Sequence, residues 1–226
     1  ATAGTRAGRF DPGRLGAGQV FRNDGQGPIW RTVTVSGPPR QIPPPTSEGF
    51  SVDKTLFRLD GSPANPAAVR QGDRLIVLIT GQPQAARTHP TVVIDLLPAG
   101  FEIEGVLDPS DGVSQPDWDG TVRTGQFGFV GTLTQARVAE ARDDRFVGAA
   151  DITGTAVRLA YMVRAVTPGS FVFPGAVIED MYRTSFFGRS AAGRVEIAPQ
   201  APRAPAPGRW LRLSGQSAAG ARWACR

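Results

Sequence analysis

The sequence has very few of the residues from which catalytic and metal sites are usually built. Its 226 residues include one histidine, His89, and one cysteine, Cys225. A single cysteine excludes an intramolecular disulfide, and one residue of each type excludes a zinc site made of those ligands. A Ser-His-Asp arrangement would depend on His89 alone, and no G-x-S-x-G sequence accompanies it. The sequence therefore predicts neither an enzyme nor a bound cofactor or metal.

The remaining candidates for chemistry are weak. His89 lies in the turn-like segment 87–90 without a neighbouring nucleophile or carboxylate, which favours a solvent-exposed loop histidine over a general base. Cys225 is interpreted as an exposed thiol. The adjacent acids at 143–144 and 179–180 would point to opposite faces of a strand, so neither pair predicts an acid/base couple. The arginines that flank 143–144 predict local ion pairs instead.

Long apolar runs are also missing. No stretch approaches the roughly 18 apolar residues of a membrane span, so no direct span is expected. The first ten residues have no apolar segment of the kind that a signal peptide carries. Gly 28 and Pro 20 are both high, which favours turns and strands over long helices.

Basic charge is concentrated at the two ends of the chain. Residues 1–45 carry a net charge of +4 and residues 199–226 of +5, whereas residues 46–198 carry −4. A nucleic-acid module is expected to place a basic stripe on its folded part. The distribution therefore predicts no specific nucleic-acid binding.

Proline and turn signals divide the chain into three parts. Residues 1–45 hold a mobile lead-in, a predicted hairpin at 19–36 around Asn23–Gly27, and a stiff proline-rich linker. Residues 46–198 are predicted to form one domain. Residues 199–226, rich in proline and arginine, are predicted to be a flexible tail.

The middle part has the pattern of an antiparallel β-sandwich. Residues 155–165 alternate in polarity, and residues 75–79 are continuously apolar, as in a strand covered on both sides. At most one short helix is expected, at 126–135. The predicted strands are 50–59, 73–81, 91–97, 137–141, 146–150, 155–165, 169–173 and 193–197. The aromatic residues predicted to pack in the core or at sheet edges are Phe101, Phe127, Phe129, Phe146, Phe171, Phe173, Tyr161 and Tyr182.

Three segments carry a recognisable set of motifs. They are VVIDLLPAGFEIE at 92–104, EARDDR at 140–145 and the run from Tyr161 to Ile197, which includes VRAVTPGSF, EDMYR and GRSAAGRV. In order and approximate spacing, these segments resemble the last domain of the bacterial alpha-2-macroglobulins. The resemblance covers roughly residues 48–198 and is weaker over the hairpin. It implies a macroglobulin-like sandwich, with the hairpin as the end of the preceding module.

The resemblance also implies a function for the parent protein. The chain would be the C-terminal structural domain of an endopeptidase inhibitor that traps proteases in the periplasm or cell envelope, anchored as a lipoprotein. Its partners would be neighbouring domains, target proteases through the full-length protein and, in the branch without a thioester, a peptidoglycan-synthesising enzyme. Cys225 lacks the Cys-x-Glu-Gln thioester pattern. With Lys54 as its only lysine, the chain does not suggest the lysine-based receptor binding of vertebrate relatives.

One segment is predicted to contact a neighbouring domain. Phe186 and Phe187 are consecutive, so both cannot face one core, and one is expected to meet another domain. Glu179, Asp180 and Arg183 are predicted to be polar anchors where a strand ends. The alternative hypothesis is a free-standing β-sandwich that binds a glycan or a peptide, which an exposed edge strand or an aromatic groove would favour.

Overall fold

The computed structural model describes residues 20–32, 34, 42–118 and 120–200. The chain divides into two compact units, residues 1–40 and 41–226. The predicted lead-in at 1–17, Cys225 and the tail beyond residue 200 lie outside the described residues. The predicted domain boundaries stay predictions.

The first unit contains the predicted turn but not the predicted hairpin. The Asn23 side chain accepts a hydrogen bond from the Gly25 N–H at 3.1 Å and donates one to the Gly27 carbonyl at 2.7 Å. Residues 20–32 and 34 include no strand, so the hairpin at 19–36 is wrong for the described residues. Ile29 and Trp30, consecutive residues of the predicted return strand, are both exposed. A two-stranded hairpin without a packed face is only marginally stable, which accounts for the difference.

The described part of the second unit contains three sheets. The six-stranded sheet has the order β1 (Thr46–Glu48), β12 (Phe187–Arg189), β11 (Val177–Asp180), β5 (Thr88–Leu96), β8 (Arg145–Thr153) and β7 (Val138–Ala141). The four-stranded sheet has the order β2 (Phe50–Arg58), β4 (Arg74–Pro83), β9 (Val157–Ala165) and β6 (Phe101–Val106). The three-stranded sheet has the order β10 (Gly169–Phe173), β13 (Gly193–Ala198) and β3 (Val69–Arg70).

The prediction of an antiparallel β-sandwich is confirmed. Within these sheets every pair of neighbouring strands is antiparallel except β13 and β3. No α-helix occurs in the described residues, which instead contain single 3-10 turns at Pro66–Ala68, Pro109–Asp111 and Gly128–Val130. The last of these lies in the segment 126–135 that was expected to be helical.

The main core lies between the sheets and follows the alternation of the strands. On β9, the residues Val157, Leu159, Tyr161 and Val163 are buried and face this core. Phe50, Val93, Phe146 and Ile178 meet them from other strands. Each such side chain contributes roughly 1.5–3 kcal/mol on burial, so the period-two pattern of the sequence explains the sandwich.

The outer face of the four-stranded sheet is covered as well. Along β4, Leu75, Val77 and Ile79 belong to the main core, whereas Ile76 and Leu78 face a second cluster. This cluster is completed by the segment 107–133. The Arg158 guanidinium fixes the segment by donating to the Val130 carbonyl at 2.7 Å. The prediction that residues 75–79 are covered on both sides is therefore confirmed.

Candidate functional site

The turn between β11 and β12 is organised around the carboxylate of Asp180. Its Oδ1 accepts hydrogen bonds from the backbone N–H groups of Tyr182 and Arg183, both at 3.0 Å. Its Oδ2 accepts one from the Arg183 guanidinium at 3.1 Å. The backbone of Met181 donates to the Pro90 carbonyl at 2.8 Å, which joins the turn to β5. The turn is consequently a rigid support for the residues on its outer side.

His89 contributes to this support from inside the sandwich. It lies in β5, is fully buried, and its Nδ1 is 2.8 Å from Asp180 Oδ2. Because an ionised carboxylate only accepts hydrogen bonds, Nδ1 carries the proton. The ring packs edge-on against Phe50 and contacts Phe186. The prediction of a solvent-exposed loop histidine without an adjacent carboxylate is therefore wrong, because Asp180 is 91 residues away in the sequence.

These hydrogen bonds change the acidity of Asp180. Burial by itself acts to raise the pKa of this carboxyl group. The hydrogen bonds from His89, from two backbone N–H groups and from Arg183 outweigh it and lower the pKa to about 2. Asp180 is thus ionised at neutral pH, and its negative charge lies inside the turn. It is fully buried and does not offer a surface contact, which corrects its predicted role at a domain interface.

Two apolar side chains project from the outer side of the turn. Tyr182 is 82% exposed and Met181 is 44% exposed. The prediction that Tyr182 packs in the core or at a sheet edge is wrong, because the turn directs it outward. The other seven aromatic residues of that set are buried or half-buried.

The other residues predicted for the interface lie on β11 and β12 or in the turn between them. Phe186 is half-buried against His89 and the main core, and the guanidinium groups of Arg87 and Arg183 lie over its ring. Phe187 and Glu179 are half-buried and face each other across the β11–β12 pair. We call the surface formed by the exposed side chains of Met181 and Tyr182 the turn face. The predicted contact of this region with a neighbouring domain stays a prediction.

A second polar cluster lies inside the sandwich and joins two sheets. Lys54 Nζ is 2.7 Å from Asp95 Oδ1, and the Tyr161 hydroxyl donates to Asp95 Oδ2, also at 2.7 Å. Lys54 also donates to the Pro174 carbonyl at 3.1 Å and lies 4.0 Å from the centre of the Phe173 ring. The side chains of Lys54 and Asp95 are only 2% and 0% exposed. The whole group is therefore shielded from solvent.

Burial dominates the acidity of this second cluster. Desolvation lowers the pKa of Lys54 and raises that of Asp95, and their mutual attraction offsets only part of either change. Desolvation, followed by the nearby Asp95 charge, raises the pKa of Tyr161 well above its ordinary value. Tyr161 is accordingly a neutral hydrogen-bond donor.

The sequence carries a signal for this cluster in the alternation of its strands. Lys54 occupies the same strand face as Phe50, Val52 and Leu56, and Asp95 the same face as Thr91 and Val93. Charged residues at inward positions of a period-two pattern indicate a buried pair. The partnership between them, across 41 residues, could not be inferred from spacing.

Other kinds of site find little support in the described ranges. In residues 20–32, 34, 42–118 and 120–200, no three histidine, cysteine or acidic side chains are gathered in a way that could hold a metal ion. None of the helical segments described there has the length and apolarity needed to cross a membrane. The predicted ion pairing beside 143–144 is confirmed for Asp144, which accepts from Arg145 Nε at 2.9 Å.

Comparisons with known proteins identify the class of domain. The family described as the bacterial alpha-2-macroglobulin MG10 domain matches residues 49–184. An alpha-2-macroglobulin of Xylella fastidiosa is 34% identical over 191 residues, which cover 84% of this chain and 11% of that protein. The alpha-2-macroglobulin of Escherichia coli K12 is 33% identical over 164 residues, which cover 71% of this chain and 10% of that protein.

Solved structures lead to the same class. The structure of the native conformation of E. coli alpha-2-macroglobulin superposes on this chain with a TM-score of 0.60 and 29% sequence identity. The aligned region covers 72% of this chain and 10% of the E. coli chain. A crystal structure of the E. coli protein from domain MG7 to the C-terminus gives 0.60 at 28% identity, covering 72% of this chain and 25% of that one. The fold is thus a macroglobulin-type β-sandwich. The chain belongs to the bacterial alpha-2-macroglobulin MG10 domain family, and it spans about a tenth of the length of the curated relatives it matches.

Proposed function

We propose that the chain is the C-terminal structural domain of an alpha-2-macroglobulin-like endopeptidase inhibitor that traps proteases. Membership of the family supports this proposal, as does the small share of each relative that the chain covers. A domain of this kind acts through contacts with its neighbours in the parent protein. The domain itself carries no catalytic step in this proposal, and the work of trapping is done by the whole inhibitor.

The observation that carries the proposal is the turn face. Exposed large apolar side chains mark interaction surfaces when they are held in a fixed position. Met181 and Tyr182 are exposed, yet their backbone N–H groups are held by hydrogen bonds, that of Met181 to the Pro90 carbonyl and that of Tyr182 to the buried carboxylate of Asp180. Tyrosine and methionine are both enriched in interfaces. We therefore assign the turn face to the contact with a neighbouring domain of the parent inhibitor.

The single histidine supports a non-catalytic role. His89 is enclosed by Phe50 and Phe186, and Asp180 engages one of its ring nitrogens. A general base has to be within hydrogen-bond reach of the proton that it removes from a substrate. A fully buried ring on a strand of the sandwich does not meet this requirement without a rearrangement of the fold.

The location and the wider partners belong to the same proposal. The parent protein would reside in the periplasm or cell envelope as an anchored lipoprotein, where it would meet its target proteases. A peptidoglycan-synthesising enzyme is a candidate partner of the parent. Localisation of the tagged parent by cell fractionation would test this placement, and recovery in the cytoplasmic fraction would contradict it.

The function is tested by altering the turn face in the full-length parent. The double variant Met181→Ser/Tyr182→Ala removes the apolar surface without touching Asp180. We expect the variant parent to retain less trypsin in a complex that resists washing. The free energy of unfolding of the MG10 domain should change by less than about 0.5 kcal/mol, because both side chains are exposed.

The matched control is Val172→Ser on β10, which changes an apolar side chain of similar exposure on another sheet. The control should trap trypsin as the unchanged parent does. Equal trapping by the turn-face variant and the unchanged parent would refute the assignment of the turn face. Inhibition of trypsin by the isolated 226-residue chain would refute the proposal that trapping requires the whole inhibitor.

A further inference from the structure

The buried cluster of Lys54, Asp95 and Tyr161 spans the interior of the sandwich. Lys54 on β2 and Tyr161 on β9 come from the four-stranded sheet, whereas Asp95 on β5 comes from the six-stranded sheet. A bond between Lys54 and Asp95 would therefore add a covalent link between the two sheets across the interior of the sandwich.

Both reacting groups are held in a defined geometry. Besides its contact with Asp95, the Lys54 amine is fixed by the Pro174 carbonyl and the face of the Phe173 ring. The Tyr161 hydroxyl holds the second oxygen of Asp95, and its own ring stacks on Phe146 with centroids 4.7 Å apart. Lys54 Nζ lies 2.7 Å from Asp95 Oδ1, one bond from the carboxyl carbon, and groups held together in this way gain a large effective concentration over the same groups in water.

The surroundings also favour the neutral forms of the two groups. An amine and a carboxyl group in a site without water can exchange one proton and become uncharged, since burial disfavours both charges. A neutral amine is a nucleophile, and a neutral carboxylic acid is an acceptor for it. With side chains 2% and 0% exposed, the site is also closed to the water that would reverse the reaction.

We propose that Lys54 and Asp95 join in an intramolecular isopeptide bond, and that the Tyr161 hydroxyl positions and polarises the carboxyl group for this reaction. The bond would be a covalent cross-link built into the domain, formed by the folded protein without another reactant.

The atoms of the reaction balance without an oxidant or a cofactor. The ammonium of Lys54 gives one proton to the Asp95 carboxylate, and the free amine attacks Cγ. A C–N bond forms, and the Tyr161 hydroxyl donates a hydrogen bond to the oxygen that bears negative charge in the adduct. The nitrogen then loses a proton to the departing hydroxyl group, the C–O bond breaks, and one water molecule leaves. The product is a neutral secondary amide.

Mass spectrometry of the unchanged 226-residue chain decides the question. We expect the intact mass to fall short of the sequence mass by one water molecule. Trypsin should not cleave after the acylated Lys54, and a branched peptide should contain Lys54 and Asp95 together. An intact mass equal to the sequence mass, with the two peptides recovered separately after long incubation, would overturn the proposal.

Three variants sharpen the test. Lys54→Met should keep its full sequence mass. Asp95→Asn offers the same acyl carbon with ammonia as the leaving group, so its cross-linked form should have the same mass as the cross-linked unchanged chain. Tyr161→Phe keeps the stacked ring and should fold, as circular dichroism would show, but a smaller fraction of it should be cross-linked. A folded Tyr161→Phe protein cross-linked to the normal extent would remove Tyr161 from the mechanism. Should Lys54→Met fail to fold, the mass of the unchanged chain still decides the proposal.

Discussion

At the scale of single residues, Asp180 ties the two sides of the β11–β12 turn to the inside of the domain. One oxygen accepts from the backbone of the turn, and the other accepts from His89 and Arg183. Removing such a carboxylate leaves several donors without an acceptor in a buried position. Donors left in this way cost about 1–3 kcal/mol each, which makes Asp180 more important to the turn than its short side chain suggests.

The lowered pKa of Asp180 predicts a specific loss of stability in acid. Its pKa is about 2 in the folded chain and about 3.9 in an unfolded one, so the folded state binds fewer protons between these values. The stabilisation is complete above about pH 4 and is lost as pH falls towards 2. Asp180→Asn should flatten the fall in urea midpoint over this window, measured by fluorescence at a series of pH values.

Glu102→Gln supplies the comparison for this experiment. Glu102 is an exposed carboxylate on β6, so its substitution should leave the fall of the urea midpoint in acid unchanged. If Asp180→Asn followed the same steep decline as the unchanged chain, the acid lability would come from other carboxylates and the role of Asp180 would be wrong.

Residue types alone did not reveal these pairings. The sequence supplied the single histidine and the single lysine, and both turn out to be buried next to a carboxylate. Their partners lie 91 and 41 residues away, because the pairs form only when β5 meets β11 and β2 faces β5. The inward position of Lys54 in its strand was visible, whereas the identity of its partner depends on how the sheets stack.

At the scale of elements, most of the longer strands were predictable and most of the shortest ones were not. The predicted strands at 50–59, 73–81, 155–165 and 169–173 correspond closely to β2, β4, β9 and β10. The sequence did not reveal β1, β3, β11 and β12, which have between two and four residues. Such segments are too short for a period to be recognised, and their pairing through the backbone is fixed by the neighbouring strands. The six-residue strand β6 was also missed, because its two glutamates and its glycine give the segment a polar composition despite the inward residues Phe101 and Ile103.

Close approach of β12 to β2 gives a prediction at this scale. A Cβ at Gly188 would clash with the carbonyl oxygen of Phe50 and lie 2.7 Å from Val52 Cγ2. Because the first obstacle is backbone, Gly188→Ala should force the two strands apart and destabilise the domain by about 1–3 kcal/mol. Chemical denaturation monitored by fluorescence measures this difference.

Gly193 provides a matched site for the same substitution. It also lies in a strand, β13, and no atom would lie within 4 Å of an added Cβ. Gly193→Ala should leave the free energy of unfolding nearly unchanged or raise it slightly, since alanine reduces the freedom of the unfolded chain. Equal effects of the two substitutions would show that β12 and β2 can separate without loss of packing.

At the scale of the whole molecule, charge separates the body from the ends. Residues 46–198 carry a net charge of −4, although the complete chain carries +5. The excess of arginine belongs to residues 1–45 and 199–226, which the family match over residues 49–184 does not include. The acidic body is consistent with the proposed role as a domain that contacts its neighbours, because such a role needs no polyanion site on the fold.

The distribution of charge predicts how the chain meets polyanions. Residues 1–17 and 199–226 hold eight arginines and one acidic residue, so any retention on heparin should come from them and should fall steeply with salt as counterions are released. Trimming the chain to residues 46–198 should abolish this retention and leave the thermal transition nearly unchanged, because the main core lies between these limits. The measurement is a salt gradient on heparin paired with a thermal melt of both proteins. Tight binding of the trimmed domain at physiological salt would place a basic surface on the sandwich itself, and the domain would then have to be regarded as a polyanion-binding module.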